Sequence, residues 1–319
     1  MTAGMPPQLV LQAPYTPFDP APSYALNTTT IATLAAHSAA SGVTTVWVAG
    51  SMGQFDSMTV AERKALAEAW VPAAQEHKLY TIINVGTTVQ AEAIELAAHA
   101  ASIGADAIAA VPPYYNTAAT GDILAVLRFL QPVAAAAGEL PFFYYHIPGM
   151  TRTPLGVAEL FRVAAEGEVR IATMAGVKYV DTNMTDWLDL VTNYNESHAL
   201  LFAPEPKLQS FAFGLGRGTV LAEDFYAPTY LRMRHAYLQG DVAAARAEQQ
   251  WKFDASNAFG TFGNSKTAAE RAVYRWLCDI DIGPPRPPKD PLAPADLPAL
   301  KAALEAVDFF NKVKLNPAA

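Results

Sequence analysis

Short apolar runs alternate with Ala-rich helical patterns along most of this chain, and that alternation limits the fold more than any other feature. The runs cover 9–15, 43–50, 80–85, 107–112, 141–147, 171–180, 199–203 and 219–222. They are rich in β-branched and aromatic residues and lack an apolar/polar alternation, so each reads as a strand buried on both faces. Helical spacing of apolar residues predicts helices over 59–77, 90–103, 121–137, 154–166, 181–194 and a shorter one ending at 213. Thr59 with Glu62 three positions on is the pattern of a capping box. Strands buried on both faces and joined by helices form a parallel sheet, and eight such units predict a closed (β/α)8 barrel, a TIM barrel of class α/β. Helical patterns after Thr229 exceed the eight units and predict additional C-terminal helices, with Pro284 to Pro288 as a stiff extended connector. The expectation is a single domain over 1–319: a barrel over about 9–225, then the last barrel helix and appended helices over about 226–319.

The 319 residues suit one barrel, and 51% hydrophobic against 16% charged residues excludes a disordered chain. The apolar surplus predicts surface covered by further copies of the chain. With 22 Lys+Arg against 30 Asp+Glu the net charge is -8 and no basic stripe occurs, so nucleic acid is excluded as a partner. A single cysteine, Cys278, forbids an internal disulfide, and six scattered histidines without ligand spacing argue against a metal site. No Lys or Arg precedes Arg63, which fits neither a signal peptide nor a transit peptide. The uncharged stretch from Pro20 to Phe55 is broken by polar residues and by Ser41-Gly42, and a bilayer span needs about 20 continuous apolar residues. The chain reads as soluble and cytoplasmic, with no membrane partner.

A barrel of this kind carries its chemistry at the C-terminal ends of its strands. The polar groups expected there are Ser51 in Gly50-Ser-Met-Gly-Gln54, then Tyr114, Tyr115 and Asn116, then Tyr144, Tyr145 and His146, then Lys178, Glu205, Glu223 and Asp224. Lys178 is the informative one, because it interrupts the apolar strand Ala175-Gly-Val-Lys-Tyr-Val180. Burial disfavours an ammonium, lowers its pKa, and leaves an amine able to attack a carbonyl and form a Schiff base. Position alone leaves open a lysine that pairs with a carboxylate or reaches solvent at the strand end. Tyr145 is either a proton relay or a core phenol with a satisfied hydroxyl. The turn around Ser51 is either a backbone nest for a carboxylate or an ordinary tight turn. Gly214 to Gly218 reads as a helix C-cap and loop, and Asp186 and Asp189 as solvated helix residues.

Taken together, these residues resemble the pyruvate-dependent Schiff-base lyases, the superfamily of N-acetylneuraminate lyase and dihydrodipicolinate synthase. The likeness runs from about Leu9 to about Phe310. It is carried by Ala49-Gly-Ser-Met-Gly-Gln54 with Thr59-Val-Ala-Glu-Arg63, by Pro112-Pro-Tyr-Tyr-Asn116, by Tyr144-Tyr-His-Ile-Pro148, by Gly176-Val-Lys178 and by Gly283-Pro-Pro-Arg286. Two pieces, Tyr-His-Ile-Pro and Gly-Pro-Pro-Arg, lie nearest the neuraminate lyase branch.

The resemblance implies an enzyme, a class I aldolase or carbon–carbon lyase. Lys178 would form an imine with a 2-oxo acid, pyruvate, and the protonated imine would take up the electrons of the breaking C3–C4 bond. Tyr145 would shuttle the hydroxyl proton, Ser51 would hydrogen-bond Tyr145, and Tyr115 from a neighbouring subunit would complete the relay in a tetramer or dimer. The Ser51–Met52 backbone would hold the carboxylate, and no metal or organic cofactor is called for. The partners implied are a small 2-oxo acid, an aldehyde and further copies of the chain.

Departures from the family pattern bear on the substrate. Met52 and Gln54 replace a threonine and a glutamate of the family's turn, and Met150 stands where dihydrodipicolinate synthases have an arginine. Val180, Ala203-Pro-Glu205-Pro206 and Glu223 replace groups with which sialic-acid lyases bind the polyol tail. A site that lacks those partners rejects the polyol, so sialic acid is expected to be a poor substrate. Met52, Phe55, Met150 and Val180 would make the pocket more apolar, while Glu205, Glu223 and Asp224 would give it an acidic end. Two other readings stand beside the aldolase: a Schiff-base dehydratase or hydratase-aldolase of a 2-oxo acid, and a non-catalytic binding or regulatory relative.

Overall fold

The computed structural model describes residues 5–115, 121–205, 207–214, 216–260, 262 and 266–314. Asn116 and Pro206, named above, lie outside these residues. The described residues contain eight strands: β1 (Leu9–Gln12), β2 (Thr45–Val48), β3 (Tyr80–Asn84), β4 (Ala107–Ala110), β5 (Phe142–His146), β6 (Met174–Tyr179), β7 (Ala199–Phe202) and β8 (Gly218–Leu221). They form a closed barrel in chain order, and the pairs from β2 to β8 are parallel. The predicted (β/α)8 barrel is therefore the fold, with further helices after it. All eight strands are buried throughout, as side chains that are apolar on both faces require.

Strand ends are shorter than the apolar runs suggest. β1 stops at Gln12 rather than Tyr15, before Pro14, which has no N–H to give to a ladder. β6 starts at Met174 rather than 171. Gly218 belongs to β8 and not to the preceding loop: a Cβ there would collide with the Leu9 carbonyl of β1, so glycine is what lets the last strand meet the first. Gly214, with φ of 127°, does close a helix as expected.

The chain divides into two compact units. One comprises Met1–Leu11, Thr44–Val48 and Tyr80–Val220, and holds nearly all of the barrel wall. Its helices are α1 (Gln90–Ser102), α2 (Ile123–Ala136), α3 (Pro148–Thr151), α4 (Val157–Glu166), α5 (Met184–Tyr194) and α6 (Leu208–Phe213). The single turn α3 was not foreseen; Pro148 sits in its first turn, where a missing N–H costs nothing. Asp186 is not merely solvated: its carboxylate accepts the Val157 N–H at 3.0 Å and so caps α4.

The other unit comprises Gln12–Val43, Ala49–Leu79 and Leu221–Ala319. It contains α7 (Ile31–Ala40), α8 (Val60–Glu76), α9 (Ala227–Leu238), α10 (Val242–Gly260), α11 (Lys266–Ala272), α12 (Tyr274–Leu277), α13 (Leu297–Ala306) and α14 (Phe309–Lys312). The predicted capping box starts α8, with Thr59 N–H on Glu62 Oε2 at 2.9 Å and Glu62 N–H on Thr59 Oγ1 at 3.2 Å. Phe309 packs edge-on to Phe225 and Phe259 and stacks with Trp251, so the appended helices have an aromatic core of their own. The proline connector is not extended throughout, because the chain turns at Pro287–Pro288.

Candidate active site

Lys178 and Tyr145 lie directly opposite each other in the β5–β6 ladder, one residue short of the end of each strand. Period-two alternation therefore sends their side chains to the same face. Both residues are buried, at 3% and 2% exposure. The Lys178 nitrogen lies 4.4 Å from the centre of the Tyr145 ring and 4.8 Å from that of Trp47 on β2. Trp47 meets Tyr145 edge-on at 5.3 Å. Among the described residues no carboxylate pairs with Lys178. Burial, reinforced by the positive charge of Lys207, brings its pKa down from 10.5 to about 7. A lysine in an aromatic slot with that pKa supplies an uncharged amine near neutrality, which is what attack on a carbonyl needs. This excludes the pairing alternative that position alone left open.

Sequence reasoning missed Lys207. It follows β7 in what reads as an ordinary loop, yet it is 3% exposed. Its Nζ donates to the carbonyls of Ala203 at 2.6 Å, Pro204 at 3.2 Å and Val220 at 2.8 Å. Glu205 Oε1 lies 3.5 Å away, with its side chain 29% exposed. The signal that could have found it is weak: a lysine between a proline pair and an apolar helix start.

Other expected residues of this unit fall as follows. Tyr115 is 90% exposed, and Met150, on α3, is 66% exposed. Val180 and Ala203, just past the ends of β6 and β7, are half-buried, and the Ala203 N–H bonds to the Tyr179 carbonyl at 2.9 Å. His146 reaches Asp181 at 3.3 Å, and burial keeps its pKa below the usual value. A 670 Å³ cavity lined by Pro132, Ala135, Pro141, Arg170, Ile171 and Thr173 lies at the N-terminal ends of β5 and β6, the wrong end for the chemistry, and no candidate residue lines it.

In the second unit, Ser51 and Met52 are half-buried and follow β2 in a turn where Ala49 and Gln54 both have positive φ. Thr16 Oγ1 donates to the Gly53 carbonyl at 2.7 Å. The Gln54 side chain is taken up by the backbone of Arg286: Nε2 donates to its carbonyl at 3.0 Å and Oε1 accepts its N–H at 3.1 Å. Arg286 in turn donates to Ser57 O at 2.7 Å and to Tyr24 O at 2.8 Å, and pairs with Glu62. The turn, the capping box and the Gly283-Pro-Pro-Arg286 segment are thus one fastened assembly.

The acidic residues after β8 are buried. Asp224 is fully buried and accepts from Ser38 at 3.0 Å and Tyr274 at 2.8 Å, with His37 Nδ1 at 2.9 Å. It is a core carboxylate, which corrects the expectation that it forms part of an acidic end for substrate. Glu223, at 5% exposure, lies with Glu270 around the Tyr15 hydroxyl, at 3.0 and 2.8 Å. Burial, then the charge of Glu270, raises the Glu223 pKa to about 8. No group of three or more residues of metal-ligating type occurs among the described residues, and none of their helices is long and apolar enough to cross a membrane.

Comparison with known proteins gives the chain a family. The family model described as "Dihydrodipicolinate synthetase family" matches residues 6–307. N-acetylneuraminate lyase of Mus musculus is 33% identical over 275 residues, 85% of this chain and 83% of that protein, and the Homo sapiens enzyme is 34% identical over the same length. Among solved structures, Proteus mirabilis N-acetylneuraminate lyase superposes with a TM-score of 0.84 at 27% identity, covering 95% of this chain and 99% of the other. Barrel and relatives together define a class: the chain is an enzyme of the class I pyruvate-dependent aldolase and lyase superfamily. Within that class it belongs to the dihydrodipicolinate synthetase family.

Proposed function

We propose that this enzyme makes or breaks a carbon–carbon bond between pyruvate and an aldehyde through an imine on Lys178. The observation that carries the reading is the buried lysine with a pKa of about 7 facing Tyr145 across one ladder step. The uncharged amine adds to the keto carbon, and loss of water gives the imine. In the cleavage direction the protonated imine accepts the C3–C4 electron pair and becomes an enamine, while Tyr145 receives the C4 hydroxyl proton and passes its own along. Ser51 and the partner subunit's Tyr115 complete that relay; the high exposure of Tyr115 suits a side chain donated to another copy in a dimer or tetramer. The Ser51–Met52 backbone holds the carboxylate of the 2-oxo acid.

N-acetylneuraminate is not the preferred substrate in this reading. Where a polyol would need hydroxyl partners the chain offers Val180, Ala203 and the buried Glu223. Glu205, 29% exposed, is the acidic side chain left for a hydroxyl- or amine-bearing aldehyde. Gln54 is set aside as a substrate ligand, because its amide fastens the turn.

Borohydride reduction with a panel of 2-oxo acids, followed by intact mass and peptide mapping, tests the reading. Pyruvate is expected to add one reduced imine at Lys178. No adduct with any 2-oxo acid would end it, and turnover of N-acetylneuraminate at about 1–10³ per second would end the specificity part. A second use of the same imine is loss of water from a 2-oxo acid, with no carbon–carbon bond broken. Product mass separates the two, fragments in one case and loss of water in the other.

A further inference from the structure

We propose that Lys207 is a fixed cation, built into the turn after β7, that acts on the reaction through Lys178. The inference rests on Lys178 being the reacting amine.

Two buried lysines at the same end of the barrel wall have opposite surroundings. The Lys207 nitrogen is met by three backbone carbonyls, of Ala203, Pro204 and Val220. An ammonium has three N–H donors and satisfies all of them; a neutral amine has two and would turn its lone pair on the third oxygen. Lys207 is therefore held charged, with carbonyl dipoles in place of water. The Lys178 nitrogen lies instead over the faces of Tyr145 and Trp47. Ring faces attract a cation, but far less than the hydration a buried ammonium gives up.

Connectivity brings the two lysines under one influence. Lys178 pairs with Leu201 in the β6–β7 register, and the Ala203 N–H bonds to the carbonyl of Tyr179, the residue after Lys178. Ala203 O is also the shortest of the Lys207 contacts, at 2.6 Å. The cation is thus anchored to a residue that is itself bonded to the strand carrying the nucleophile. Glu205 at 3.5 Å offsets the charge only in part, since its side chain is 29% exposed and solvated. Two charged amines in one low-dielectric region repel, and the one without carbonyl partners gives up its proton. The Lys207 charge is the second cause, after burial, of the low Lys178 pKa. The same charge makes a protonated imine on Lys178 a stronger electron acceptor, which favours passage to the enamine.

The test is the pH dependence of Lys178 reactivity, measured by competitive acetylation with acetic anhydride and peptide mass spectrometry. It is run on wild type, Lys207→Met and Lys207→Arg, with pyruvate-dependent borohydride trapping measured in parallel. In wild type, Lys178 is expected to titrate near 7 and Lys207 not to titrate in the same range. In Lys207→Met the Lys178 midpoint moves up by about 0.5–1 pH unit, the scale of one charge acting through an effective dielectric of about 20, while Lys207→Arg stays near wild type. A folded Lys207→Met with an unchanged midpoint overturns the inference. If that variant does not fold, wild type decides: an ordinary value near 10 for Lys178, or Lys207 as the low-titrating amine, overturns it. Acetylation does not need the substrate, so failure of trapping with a shifted midpoint sinks the pyruvate reading and leaves only the charge effect of Lys207 on Lys178.

Discussion

The Lys178 nitrogen stands 4.4 Å above the ring of Tyr145, its partner across the β5–β6 ladder. The contact brings the amine against the phenol's ring face, and the two functions it joins need different things of it. Attack needs the amine uncharged, whereas cleavage needs a proton on the imine. A pKa of about 7 meets the first need, since it leaves a large share of the amine uncharged near neutrality. The rate of pyruvate-dependent borohydride trapping should therefore rise about tenfold per pH unit below 7 and level off above it, as the free amine fraction does. A midpoint near 10, the ordinary lysine value, would contradict the burial argument.

Burying that lysine costs stability, and the cost depends on pH. The unfolded chain titrates Lys178 near 10.5 and the folded chain near 7. Between those values the unfolded state binds more protons, so folding stability rises with pH across that window, and below 7 the whole cost of a buried ammonium is present. Lys178→Met, which fits the aromatic slot and carries no charge, should abolish trapping yet raise the melting temperature at pH 6–7. The gain should shrink toward pH 10. A variant less stable than wild type at pH 6 would show that Lys178 has a stabilising partner.

Tyr145 is assigned proton transfer and not imine formation, which predicts a split between two assays. Tyr145→Phe keeps the ring that packs on Trp47 and Lys178 and loses only the hydroxyl. Turnover of a cleavable substrate should fall by about 10²–10⁴, the usual worth of a general acid–base group, while borohydride still traps pyruvate on Lys178. Equal losses in both assays would make Tyr145 a positioning group for the imine.

How much of this could be read from residues alone differs from place to place. The barrel was legible because strands buried on both faces announce themselves by composition, and Lys178 was legible because it breaks such a run. The Thr59–Glu62 capping box was legible because it is local. What lay hidden depends on contacts distant in sequence. Nothing near Gln54 shows that its amide is spent on Arg286, 232 positions away. Lys207 looks like a loop lysine until the Val220 carbonyl, 13 positions on, is brought to it by the β7–β8 pairing. Glu223 and Asp224 stand side by side in the chain, yet each is buried among different partners. Asp224 carries its charge at a strand tip, yet burial turns it to the core rather than to substrate.

Glu223 makes the stability of the fold depend on pH in the opposite sense. The Tyr15 hydroxyl lies 3.0 Å from Glu223 Oε1 and 2.8 Å from Glu270 Oε2. A phenol has one proton and donates to one carboxylate at a time, so both contacts are favourable when one of the two acids is itself protonated. Burial and the Glu270 charge place that proton on Glu223, whose pKa is raised from 4.5 to about 8. The folded state therefore binds more protons than the unfolded one between those values, and stability falls as pH climbs from about 4.5 to 8. Glu223→Gln is a permanent mimic of the protonated acid: its amide N–H donates to Tyr15 while Tyr15 donates to Glu270. Thermal melts of wild type and Glu223→Gln should be closest at pH 4–5 and diverge steadily from there, with the variant more stable and the gap complete beyond about pH 8. Parallel curves would mean that Glu223 is ionised throughout.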